Sequence, residues 1–101
     1  MRYKIAEWIA DGELPKNLPP DIFNIYNEFR WNRINVDDDK SMILLLPVLK
    51  HKGFHCVLDT DTDDEGDLTG LWRFVIFPDI AEYATTIHRV IINAVTRLME
   101  A

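Results

Sequence analysis

Asp59, Asp61 and Asp63 alternate at the head of the stretch Asp59-Thr60-Asp61-Thr62-Asp63-Asp64-Glu65-Gly66-Asp67. Hard oxygen ligands at the first, third and fifth positions are how a helix-flanked calcium loop begins. The rest of that pattern fails. The sixth position, where the loop needs Gly, is Asp64, and the twelfth, where it needs a bidentate Glu, is Gly70. The flanking residues also read as strands, so a solvated hairpin tip is the expectation. A second constellation is His51, His55 and Cys56. Two histidines four residues apart share a metal on a continuous helix, and Gly53 interrupts this one. On a strand, His55 and Cys56 point to opposite faces. The expected roles are a helix-end residue for His51, a sheet-face residue for His55 and a small core hydrophobe for Cys56. His88 could serve Cys56 as a base, but nothing in the sequence ties the two together, and a surface or helix-pairing histidine is the reading. With four glycines and no phosphate loop or nucleophile elbow, no catalytic residue, metal or cofactor is assigned.

The acidic stretch matters for its charge. The chain has 17 acids and 11 bases, a formal net charge of −6. Six of the acids lie in those nine residues, and outside them the charges balance. Unpaired carboxylates are costly to bury. The stretch must therefore stay in water or meet a cation or a basic partner. Asp61, Asp63, Asp64 and Glu65 are the candidate partner-binding residues. The alternative is a small-ligand or enzymatic pocket between sheet and helices, lined by Tyr26, Trp31, Trp72 and Phe74.

The elements that would position these residues follow from periodicity and punctuation. Residues 3–11 read as a short helix stopped by Gly12. Pro19 and Pro20 suit the first turn of a second helix, 20–31, whose Ile22, Ile25, Tyr26 and Phe29 form one apolar stripe. Residues 32–38 are polar apart from Ile34 and Val36, and an edge strand near 33–37 is an option. Asp37-Asp38-Asp39 favours a helix start, while Lys50, His51, Lys52 and Gly53 favour its end. Pro47 lies between, which predicts a kinked or interrupted helix over 40–52, with a strand at 42–46 as the alternative. Residues 54–59 and 71–77 read as strands of a hairpin around the acidic stretch. The second is apolar on both sides, which predicts layers above and below it. From Pro78-Asp79, with Asp79 and Glu82 spaced as a capping box, a long helix is expected over 80–98. Its stripe comprises Ile80, Tyr83, Ala84, Ile87, Ile91, Ala94, Val95 and Leu98.

A chain of 101 residues is expected to be one domain, 1–101. Its 48% apolar and 28% charged composition is globular. The lone Cys56 excludes an intrachain disulfide and fits a reducing compartment. No apolar run reaches the about 20 residues that cross a bilayer, and no secretory signal opens the sequence. A cytoplasmic protein without membrane contact is the reading. The sequence pI near 4.9 argues against direct nucleic-acid binding, which needs clustered Lys and Arg.

An acid-started helix, Lys52-Gly53-Phe54 leading into a strand, Trp72-Arg73-Phe74-Val75-Ile76-Phe77, and a helix carrying Ala84-Thr85-Thr86 then Ile87 and Val90-Ile91 are the features of residues 37–98. Together they resemble the small phage proteins described as an ABA-sandwich family. The resemblance implies helix, hairpin or small sheet, then helix, in a mobile-element genome, with no agreed activity to carry over. Pro47, the acidic loop and the N-terminal helices depart from it. The combined expectation is an α+β fold: N-terminal helices, an antiparallel hairpin with an optional third edge strand, and a long C-terminal helix. The expected role is a non-catalytic accessory protein that binds another protein, its acidic hairpin aimed at a basic surface of that partner. A two-stranded hairpin is marginal by itself, so pairing into a homodimer is also expected.

Overall fold

The computed structural model describes residues 2–31 and 33–100. Its elements are α1 (Arg2–Ala10), a short 3-10 turn (Pro15–Asn17), α2 (Pro20–Arg30), α3 (Asp39–Ile43), α4 (Leu45–His51), β1 (Cys56–Thr62), β2 (Leu68–Ile76), β3 (Ile80–Ala84) and α5 (Ile87–Glu100). The strands form an antiparallel meander in the order β1-β2-β3. The fold is α+β, with the C-terminal helix packed on the sheet.

Local chemistry explains most of the boundaries. Asp11 and Gly12 both take positive φ, 48° and 79°, and end α1. Pro20 occupies the first turn of α2, where a missing N–H costs nothing. Asp38 caps α3 by accepting the N–H and hydroxyl of Ser41, at 3.1 and 3.0 Å. The expected kinked helix over 40–52 is interrupted at Leu44, three residues before Pro47. Pro47 lacks the N–H that would bond the Ile43 carbonyl, and its ring crowds that carbonyl, so the ladder must restart there. The alternative strand at 42–46 does not form.

Two expectations are corrected. The third strand is not at 33–37. There Asn35 turns the chain: its side chain accepts the Asp37 N–H at 2.9 Å and its carbonyl accepts the Asp38 N–H at 3.1 Å. Asn32, the first residue of that polar segment, lies outside the described residues. The third strand instead occupies 80–84, the expected first turns of the last helix. Ile80, Tyr83, Ala84 and Ile87 fit a helical stripe, but Ile80, Glu82 and Ala84 also alternate with Ala81 and Tyr83. Pairing with β2 decides for the strand, because it satisfies the outer backbone groups of β2. The Asp79–Glu82 capping box is consequently absent: Glu82 pairs with Arg97 of α5 at 3.1 Å.

The core gathers Ile5 and Ile9 of α1, Ile22 and Phe29 of α2, Met42, Leu45, Val48 and Leu49 of α3 and α4, and Val90, Ile91, Ala94 and Val95 of α5. They pack against Phe74 and Ile76 of β2, which are 0% and 1% exposed. All buried sheet residues have even numbers, so every helix that reaches the sheet lies on one side of it. Layers above and below β2 are therefore not what the chain builds. The odd-numbered face is open.

Candidate functional site

The β1–β2 hairpin outruns the rest of the molecule. Pairing of β2 with β3 stops at Trp72–Ala84, whereas β1 and β2 pair as far as Thr62–Leu68. Residues 62–70 are all exposed. They form an arm that lengthens the molecule to 49 × 26 × 22 Å and its radius of gyration to 14.1 Å, against about 13 Å for a compact chain of this length. At the base of the arm the register shifts between Thr60 and Thr62, with Gly70 at φ +84° in the irregular segment. The Thr69 hydroxyl bridges this irregularity, donating to Asp61 Oδ2 at 2.8 Å.

The six acids of the hairpin divide into two sets. Asp59 is held by Arg73 through two bonds, 2.9 Å from Nε and 2.7 Å from Nη2. Those bonds keep the Asp59 carboxyl below the usual carboxylate range and raise Arg73 correspondingly. Asp61 accepts from Thr69. Asp63 builds the turn: its Oδ1 accepts the N–H groups of Glu65 and Asp67, both at 2.9 Å, and its carbonyl accepts the Gly66 N–H at 3.0 Å. The carboxylates of Asp64, Glu65 and Asp67 take no hydrogen bond or ion pair among the described residues. Of the four sequence candidates, then, Asp61 and Asp63 are engaged in holding the arm, while Asp64 and Glu65 point charge at solvent. Asp67 belongs with them and was not among the candidates. Among the described residues no group of three His, Cys, Asp or Glu side chains is placed to hold a metal ion.

Below the arm, the open sheet face is built of three rungs. Val57, Val75 and Ala81 are cross-strand neighbours, as are Asp59, Arg73 and Tyr83. One residue further, the Phe77 N–H bonds the His55 carbonyl at 2.9 Å, and the two rings lie 5.0 Å apart. Phe77 is 46% and Tyr83 49% exposed. His55 directly precedes β1 and packs its ring against Phe77.

The four aromatics of the alternative pocket are not gathered around one cavity. Phe74 is core. Trp72 is half-buried on the covered sheet face, opposite Thr60 and Ala84. Trp31 ends α2 at 63% exposure. Tyr26 lines a small hollow of about 280 Å³ with Tyr3 and Arg30. A larger open cleft, about 840 Å³, lies between the start of α2, α4 and the start of β1, and it brings His51, His55 and Cys56 to one lining. Partial burial pushes the Cys56 thiol up, away from a reactive thiolate.

His88 does pair helices, and its partner is Asp39, not Cys56. Asp39 Oδ1 accepts both the backbone N–H and the Nδ1–H of His88, each at 2.8 Å. The first residue of α3 thereby caps the N-terminus of α5. These bonds, the backbone one foremost, hold the Asp39 carboxyl below its ordinary value. Nothing in the sequence marked this cap, because its two members are 49 positions apart.

No family model, curated protein or solved structure matches the chain. No helix among the described residues is long and apolar enough to cross a membrane.

Proposed function

We propose that this chain is a non-catalytic accessory protein of a phage or other mobile element, acting in the cytoplasm by binding a protein with a basic surface. The observation that carries the reading is the arm: a projecting, ordered hairpin whose tip presents Asp64, Glu65 and Asp67 without partners among the described residues. An ordered tip loses little conformational freedom on binding, and concentrated charge steers a basic partner toward it. The same charge disfavours direct contact with nucleic acid. A surface that normally grips nucleic acid is the kind of partner such an arm would occupy. Self-association belongs to the same reading, since the helices leave one face of the sheet uncovered.

The test uses Asp64→Asn, Glu65→Gln and Asp67→Asn together, which leaves Asp61 and Asp63 to hold the arm. Parent and variant are immobilised and exposed to lysate of the source organism, and what each retains is identified. A basic protein held by the parent, released by added salt and absent from the variant supports the reading. Equal retention by both proteins overturns it and leaves the tip as a solubilising surface.

A further inference from the structure

The structure's open sheet face carries a second inference. We infer that two copies of the chain stack through it, about a two-fold axis that crosses Val75 at right angles to the strands. The inference deepens the self-association in the functional reading and is independent of what the arm binds.

Three features choose this occupant over others. First, Val57, Val75, Phe77 and Tyr83 form a contiguous apolar patch on the side of the sheet opposite the buried Phe74, Ile76 and Ala84. Sheet faces of this kind are stably covered by another layer. Secondly, the face is self-complementary. Rotation about the stated axis keeps each strand over its own copy and exchanges the rungs on either side of Val75. The Asp59–Arg73 ion pair of one copy then lies over the His55–Phe77 ring pair of the other. The carboxylate meets an imidazole, and the guanidinium meets an aromatic face, which it favours. Val57, Val75 and Ala81 meet their own copies, as an isologous interface requires.

Thirdly, charge fixes the direction. An axis parallel to the strands would set two acidic arms side by side. The perpendicular axis sends them to opposite ends of the dimer, where their repulsion is screened. Size sets the strength. Three strands and three rungs cover roughly 14 Å by 20 Å, well short of the about 800 Å² per partner of a standard interface. The pairing must therefore be reversible and concentration-dependent.

Sedimentation equilibrium from about 10 µM to about 1 mM, the range expected for a small interface, reads this directly. The parent is expected to move from monomer toward dimer across that range. Val75→Arg puts two like charges on the axis and is expected to remain monomeric, with circular dichroism and melting temperature close to the parent because Val75 faces outward. Should that variant not fold, Val75→Cys in a Cys56→Ala background gives an independent reading. A bis-maleimide spanning about 10 Å, the spacing of stacked sheets, is expected to join two copies at least tenfold faster than it joins Leu68→Cys on the arm in the same background. A parent that stays monomeric at the highest concentration overturns the inference. So does a folded Val75→Arg that still dimerises, or a Val75→Cys that the bis-maleimide joins no faster than the arm control. Loss of dimer with retained capture of an arm partner would separate this interface from the arm's.

Discussion

Asp63 shows how a residue type can mislead when its number of acceptors is ignored. In the sequence it is one acid among six, and its spacing from Asp59 and Asp61 invites a calcium reading. In the structure its side chain takes two backbone N–H groups, a role that short acids fill in turns. The same position thus cannot be neutralised as a pure test of charge. Asp63→Ala is expected to speed amide exchange at Glu65 and Asp67 by roughly tenfold or more, the consequence of losing about 1.4 kcal/mol of local protection. Exchange in Phe74 and Ile76 should not change, because the core lies beyond the register shift. Asp64→Ala, which removes charge without a bond, should leave both sets of amides as they are. Equal acceleration by the two variants would show that repulsion, and not the turn bonds, sets the order of the tip.

At the level of elements, the decisive bond is the cap that Asp39 of α3 gives to α5. Folding lowers the Asp39 carboxyl from its ordinary value of 3.8. Between that value and the lower one in the folded protein, the unfolded chain binds the proton first, so stability rises with pH there. The contribution is complete above about pH 3.8 and disappears as acid titrates the folded group. Asp39→Asn cannot titrate. Its urea midpoint is expected to lie below the parent's at pH 7 and to converge on it as acid titrates the folded Asp39 carboxyl; a gap that persists after that titration would assign the loss to packing instead. Asp59, lowered by Arg73, shares the direction and adds to the parent's own acid sensitivity. Such a cap was not legible beforehand, since capping rules look along a helix and this donor–acceptor pair spans two. What was legible was local: the stripe of α2, the start and stop of α3 and α4, and the hairpin strands. The boundary at 80–87 was not, because its apolar spacing satisfies both periods and only the free edge of β2 decides between them. The open face escaped for a related reason. Leu71, Val75 and Phe77 look like a buried side, and no sequence rule says that a covering layer is missing from the chain itself.

On the scale of the whole molecule, charge and stability occupy different places. The body, charge-balanced and packed around Phe29, Phe74 and α5, holds the fold. The arm holds the charge, and beyond the register shift none of its side chains reaches the core. Because of that separation, the arm is expected to be removable. The N–H of Phe77 bonding His55 sets the odd-numbered pairs as the closely hydrogen-bonded ones, so a two-residue turn should close the ladder at Asp61 and Leu71. Replacing residues 62–70 with Asn-Gly deletes four acids and takes the formal charge from −6 to −2. Lost strand contacts at the tip would lower stability slightly, while relief of repulsion and a shorter closed loop would raise it. These effects are each of the order of 1 kcal/mol, so the melting temperature is expected within about 8 °C of the parent's. The shortened chain should still dimerise through Val75 and should lose the basic partner. A chain that fails to fold would place part of the folding information in the arm, and a shortened chain that still captures the partner would move the binding site to the body.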